Sequence, residues 1–357
     1  MSRWKNSLWF LGVAFAFSLA AFAWARYVRI PKNIAYVTEE EGGISVIDLG
    51  TLRVISRIQP ADVQPRGIAV TLDGKYIVTA NKNTSDIAVF TTPRLRLVKR
   101  IHIGHSPEFI KVDSAGDRFF ATFEPGSSGG PPAAPGAKDS ADEQNEPPAQ
   151  VASFRIGDWS PGPVATAGSE TEGLEFSPDG KYLLVADEAQ DNMGIFAADT
   201  GVLIRNVNLK PYGIRPRAIK VSPLRNEYSV TMEASGTLLK MDMNFNILKS
   251  VRTAAKPYGE SFDRAGKRIF VAAALAGKLQ VFDADSLHLL AEVPVGKRCW
   301  HFTFTPDDSK ILVACGRSNN IVVVDPNSYK QIATIEGLNL PWGIVTYPRS
   351  YGSLGLP

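Results

Sequence analysis

Seven residues that could do chemistry recur at one position of a repeating pattern: Arg66, Glu108, Glu172, Arg217, Tyr258, Trp300 and Trp342. Each is the second residue of an aligned hexamer: PRGIAV, PEFIKV, TEGLEF, PRAIKV, PYGESF, CWHFTF and PWGIVT. The third position reads Gly67, Phe109, Gly173, Ala218, Gly259, His301 and Gly343. It is mostly small, as strands crowding a common axis require. Two arginines, two carboxylates, three aromatic rings and the His301 imidazole could form a pocket for a flat, anionic ligand. Arginine offers a bidentate fork to carboxylates, and tryptophan or tyrosine a stacking face. The same residues could instead satisfy one another, Arg pairing with Glu across the channel. Both arrangements stand open at the level of sequence.

Other chemistry has less support. The four histidines are His102, His105, His288 and His301, and no two have HxxxH or HExxH spacing. His105 falls near the second hexamer, His288 reads as part of a fourth strand, and His301 is the best placed for function. No metal site and no catalytic constellation is expected. There is no Cys-x-x-Cys-His for covalent haem, no phosphate-binding glycine loop and no EF-hand. One G-x-S-x-G match centres on Ser128, in a low-complexity stretch rather than a strand-to-helix turn, and reads as chance. The TLDGK and SPDGK runs carry too few oxygens for calcium and read as hairpin turns. Cys299 and Cys315 are the only cysteines. Folding their hairpin about Asp307-Asp308 sets them opposite one another to within a residue, which suggests a disulfide. Two separate buried thiols are the alternative.

The elements behind these residues are short strands. The hexamers start 42, 64, 45, 41, 42 and 42 residues apart. Cys299–Gly337 shows one complete unit: HFTF, KILVAC, IVVVD and QIATI, separated by Gly/Pro/Asn/Asp/Ser turns. Four short strands at a period near 40 indicate a β-propeller blade. The last unit stops after one strand, and IAYVTEE, GISVIDL and RVISRI at the other end of the chain supply the missing three. The expected fold is therefore all-β: a seven-bladed propeller whose strand 341–348 joins N-terminal strands within 34–60. Joining the two ends removes an open sheet edge.

The first 25 residues read as an export signal. Arg3 and Lys5 precede an apolar run, Leu8–Phe22, and A-x-A sites end at Ala23 and Ala25. An uncleaved membrane anchor is the alternative, and would be the chain's one membrane contact. Either way the propeller, residues 26–348, is expected in the periplasm. The net charge of +3 comes from 39 basic and 36 acidic residues that alternate along the chain, so no nucleic-acid surface is expected. Residues 126–148, rich in Pro, Gly, Ala, Ser and acids, read as a disordered insertion inside the second blade. It should hang over the face where the first strands begin, as decoration or as a partner tether. Residues 349–357 show no strand pattern and read as a loose tail.

AYVTEEEGGISVIDLGTLRVI, PRGIAVTLDGKYIVTANKNTSDIAVF and TEGLEFSPDGKYLLVADEAQDNMGIF resemble the YVTN-type β-propeller repeat. The stretch from VPVGKRCWHFTFTPDDSKILVACGRSNNIVVVD through LPWGIVTYP is similar to periplasmic propellers encoded with PQQ-dependent alcohol oxidation. The resemblance implies an exported binding or accessory protein beside a quinone- or haem-dependent oxidation system. Its partner would be a protein or a small anionic ligand, its cofactor unknown. Two alternatives use the same residues. A propeller-type lactonase or lyase would take its base from Glu108, Glu172 or His301. A tetrapyrrole carrier like the haem d1 propellers would use His301 or His105 as axial ligand and arginines on the carboxylates.

Overall fold

The computed structural model describes residues 33–59, 63–124 and 147–356. The expected export signal, Ser128 and nearly all of the insertion lie outside them. The described residues form seven four-stranded antiparallel sheets. Blades are numbered here by their inner strands: Pro65–Val70, Ile110–Val112, Thr171–Phe176, Pro216–Val221, Pro257–Phe262, Cys299–Phe304 and Pro341–Tyr347. Blade seven is the split one. Pro341–Tyr347 pairs with Ile34–Glu39, which continues to Gly43–Asp48 and Arg53–Ile58. No helix among the described residues is long and apolar enough to cross a membrane.

Burial follows position in the blade. The inner strands TEGLEF, PRAIKV and PYGESF are buried along their whole length, because neighbouring blades cover both faces. The outer strand LIRNVN is mostly exposed, and RVISRI has no buried residue. The hairpin between first and second strands is tied by one device in three blades. The Thr71 hydroxyl donates to Asp73 Oδ1 (2.7 Å), which also accepts from Lys75 N–H (3.0 Å). Ser177–Asp179–Lys181 and Thr305–Asp307–Ser309 repeat it. The Ser177 hydroxyl and Lys181 N–H hold the Asp179 carboxyl down at about 2. The third turn residue is left-handed: Gly74 (φ 67°), Gly180 (φ 70°) and, replacing glycine, Asp308 (φ 55°).

A second repeating device faces the axis. The residue before each aligned hexamer is left-handed: Gln64, Ser106, Glu170, Arg215, Lys256, Arg298 and Leu340, with φ between 42° and 60°. In six blades its carbonyl accepts from the N–H just past the second strand. The donors are Glu40, Lys82, Glu188, Glu233, Ala274 and Gly316, at 2.7–3.1 Å. In blade two Glu124 N–H donates instead to His105 O (2.9 Å). The residue after the second strand is thereby fixed beside the mouth of the channel, on the front face where the inner strands begin.

The C-terminal tail corrects the sequence reading. Residues 350–356 are not loose but run along the inner strand of blade six into the channel. Phe304 N–H donates to Tyr351 O and Ser353 N–H to Phe302 O, both at 2.9 Å. Thr303 and Gly352 form a β-bridge. Ser350, Ser353 and Leu354 are buried. SYGSLGL lacks strand alternation, yet its glycines let the backbone approach. A β-carbon on Gly352 would lie 2.8 Å from Phe302 O and from the Thr303 Cα. The Ser350 and Ser353 hydroxyls donate to inner-strand carbonyls at 2.6 and 3.1 Å.

Candidate functional site

Two rings of side chains meet at the front face. The first comes from the second residue of each aligned hexamer: Arg66, Glu108, Glu172, Arg217, Tyr258, Trp300 and Trp342. The second comes from the residue after each second strand: Glu40, Lys82, Glu124, Glu188, Glu233, Ala274 and Gly316. The sequence reading placed the first ring and missed the second. Aligning the repeat one residue beyond YIVTAN, YLLVAD and EYSVTM would have found it.

The arginines are paired with carboxylates from both rings. Arg66 Nε lies 2.7 Å from Glu40 Oε1, and its Nη1 bonds Glu108. Arg217 Nη1 contacts Glu172 and Glu188, and its Nε lies 3.2 Å from Glu233. Arg215 Nη2 reaches Glu188 at 2.6 Å and Glu170 at 3.1 Å, and Lys256 lies 3.5 Å from Glu233. Arg66 and Arg217 thus pair with carboxylates, as one of the two arrangements open in the sequence has it.

Burial and crowding split the acidities. Burial raises the Glu172 carboxyl well above the usual range; Arg217 opposes the rise, and Glu108 and Glu188 nearby add to it. Burial lifts Glu188 to about 7 despite Arg217 and Arg215. Burial would also raise Glu108, but Arg66, Arg217 and Lys82 hold it below the usual range. Glu108 is therefore the stronger acid of the two, and each is tied to a guanidinium.

Beneath the charges lies an aromatic layer. The Arg217 guanidinium sits 4.1 Å above the Tyr258 ring. Tyr258 meets His301 edge-on at 5.3 Å, and His301 lies 4.3 Å from Trp342. His301 Nδ1 is 3.0 Å from the Ser353 hydroxyl of the tail, and its Nε2 has no hydrogen-bond partner. Burial, then Arg217 and Lys220, depress the imidazole well below its usual range, so His301 is neutral. Leu354 from the tail joins the same core cluster. The axis is thus filled from front to back by charged ring, aromatic layer and tail.

The remaining site candidates lie elsewhere. Trp300 packs onto Gly316 so closely that a β-carbon there would collide with the indole. Cys299 and Cys315 pair directly across the hairpin and form a disulfide. His105 is exposed on the front face. His288 stands one residue before the outer strand Leu289–Pro294 rather than within it, and is exposed. Among the described residues no group of three or more His, Cys, Asp or Glu is placed to hold a metal ion.

No family model matches the chain. It is 22% identical over 332 residues to Protein NirF of Pseudomonas aeruginosa, spanning 85% of this chain and 77% of NirF. Among solved structures it is similar to the P. aeruginosa periplasmic gluconolactonase PpgL, with a TM-score of 0.69 and 17% identity over 88% of this chain and 98% of PpgL. It is also similar to the dihydro-heme d1 dehydrogenase NirN, solved in complex with DHE, with a TM-score of 0.63 and 15% identity over 89% of this chain and 76% of NirN. At these identities the likenesses speak for the fold: the chain is a seven-bladed β-propeller.

Proposed function

We propose that the chain is an exported, periplasmic binding propeller that recognises a protein or a small anionic ligand through its charged front face without turning it over. The observation that carries this is the layering of charge at the mouth. Glu172, Glu188 and Glu233 keep 9, 1 and 5% of their side-chain surface, whereas Glu40, Arg66, Arg215, Glu170 and Lys256 at the rim keep 13–30%. The inner carboxylates hold the outer cations in fixed geometry. A partner meets a preorganised surface and forgoes the cost of ordering it. A lactonase or lyase would need Glu108, Glu172 or His301 as base. The two carboxyls are tied to arginines, and Tyr258, Trp342 and Ser353 enclose His301.

The leader-like N-terminus, the disulfide and the likeness to a periplasmic gluconolactonase support export. The resemblance to propellers encoded with PQQ-dependent alcohol oxidation makes a quinone- or haem-dependent oxidation system the partner class. A second reading, a tetrapyrrole carrier, is favoured by the likeness to NirF and to NirN with bound DHE. Arg66 and Arg215 would then meet ligand carboxylates. His105 would be the axial ligand, because His301 is closed off.

The test is to purify the processed protein from the periplasm, record its native mass and ultraviolet–visible spectrum, and titrate it with hemin. The scaffold reading expects a colourless protein with no Soret band on titration, and a native complex that Arg66→Glu disrupts. A Soret band abolished by His105→Ala would select the carrier. Lactone turnover abolished by Glu172→Gln would overturn both.

A further inference from the structure

Charges that alternate along the chain are sorted on the front face. Six consecutive loops follow one another there from the entry of blade four through blade six: residues 209–215, 233–236, 253–256, 274–277, 295–298 and 316–319. They carry Lys210, Arg215, Lys256, Lys297, Arg298 and Arg317, and one carboxylate, Glu233, which is buried beside Arg217 and Lys256. The other front loops reverse the balance. Among the described residues they hold Glu336, Glu40, Glu41, Glu124, Glu170, Glu188 and Asp191 against Lys82.

Apolar side chains stand on the same cationic arc. Tyr212, Ile214 and Leu275 are 46, 41 and 48% exposed, and they are the large exposed hydrophobics that stand on front loops among the described residues. Hydrogen bonds join the six loops in order. Ile214 N–H donates to Ser235 Oγ at 3.2 Å, Thr253 N–H to Gly236 O at 2.9 Å and Ala276 N–H to Ala255 O at 3.3 Å. Arg298 N–H then donates to Ala274 O and Arg317 N–H to Lys297 O, both at 3.1 Å. The Cys299–Cys315 disulfide ties the ends of the last two loops. Lys210, Lys297 and Arg317 are exposed, and the last two have no ion pair among the described residues.

The acidic side is turned onto the protein itself. Glu40 bonds Arg66, Glu170 and Glu188 bond Arg215, and Asp191 Oδ1 accepts from Arg215 N–H at 2.8 Å. It has little left to offer the cations of a second copy. A small anion needs donors that converge. These cations are instead strung along three blades, with apolar side chains among them.

We infer that this arc docks a partner protein through an acidic surface that carries apolar residues among its carboxylates. This rests on the front face being the binding surface, and it locates the contact on blades four to six. Tyr212, Ile214 and Leu275 supply the apolar area to be buried, while Lys210, Lys297 and Arg317 steer the partner and fix its register.

The test uses the full chain in its native cells, with p-benzoylphenylalanine placed singly at Tyr212, Leu275, Glu41 or Leu224. Leu224 lies in the turn after the inner strand of blade four, at the back, and is 72% exposed. Tyr212 and Leu275 should cross-link one and the same protein, through a peptide in which Asp and Glu outnumber Lys and Arg. With that protein purified, Lys297→Glu/Arg317→Glu should weaken binding roughly tenfold, chiefly by slowing association, and added salt should weaken the wild-type complex in the same way. Lys330→Glu, on an exposed outer strand, should bind as the wild type does. A cross-linked peptide without that excess of acid, a cross-link to a second copy of the chain, or a double variant that binds like the wild type overturns the inference. A cross-link from Glu41 alone overturns it too, but leaves the front face as the binding surface. Cross-links from Leu224 alone, or from none of the four positions, overturn both.

Discussion

Arg217→Met should destabilise the propeller, and the loss should grow with pH. In the structure this guanidinium serves Glu172, Glu188 and Glu233 at once, and all three carboxyls are buried around it. Removing one partner of a buried ion pair costs roughly 3–5 kcal/mol, because the remaining charge is left uncompensated. At about 2 °C per kcal/mol for a chain of this size, the melting temperature at pH 8 should fall by roughly 6–10 °C. The pH dependence follows from the acidities. Glu188 already titrates at about 7 in the fold against 4.5 when unfolded, and without Arg217 it moves higher. An acid raised in this way leaves stability intact below its unfolded pKa and removes it as pH rises through the folded one. Glu233, which burial would raise but Arg217 holds low, contributes with the opposite sign in the wild type and loses that contribution in the variant. The gap between wild type and variant is therefore narrow at pH 5 and wide at pH 8. Thermal melts at the two pH values read it directly, and Glu188→Gln added to Arg217→Met should recover part of the loss. A gap of equal size at both pH values, or a variant as stable as the wild type at pH 8, would refute the reasoning.

Other expectations are simpler. Burial raises Asp187 to about 7, although Gly168 N–H donates to its carboxylate. Asp187→Asn keeps an acceptor for that N–H, so the variant should match the wild type at pH 4 and exceed it at pH 8, by up to roughly 4 kcal/mol in urea unfolding. The Cys299–Cys315 disulfide closes a loop with a sequence separation of 16. The Cys299→Ala/Cys315→Ala variant should lose about 3 kcal/mol by the chain-entropy account, measured against the oxidised protein in the same titration. Leu354→Ala should cost roughly 2–5 kcal/mol, as for a core leucine. A change below about 0.5 kcal/mol would mean that the tail is not packed in solution as it is in the structure.

The fold was legible because a repeat is its own alignment. Once PRGIAV and its six counterparts are superposed, a lone C-terminal strand and three N-terminal ones can only complete one blade. The position of the first ring followed from the same symmetry. Its partners did not. A long arginine side chain chooses among several carboxylates, and four of those it chose, Glu40, Glu170, Glu188 and Glu233, stand outside the hexamers that were aligned. The tail was invisible for a different reason. Its place depends on glycines and serines that let backbone approach backbone, a property with no hydrophobic period to read. Glu260 shows the limit from another side, since the six other blades have Ile, Leu or Phe at its position and only the surroundings decide that it is kept neutral.

The split blade also imposes an order in time. The Thr38 hydroxyl accepts from Gly343 N–H at 3.0 Å, and the two residues are 305 apart in the chain. Until the second is synthesised the three N-terminal strands have no inner strand, and the ring is an open arc with two unprotected edges. Local hairpins can form early, but closure is the most non-local step available and waits for the far end of the propeller. A growing chain therefore stays short of its native state for most of its synthesis, which poses a hazard for any fragment released before residue 341.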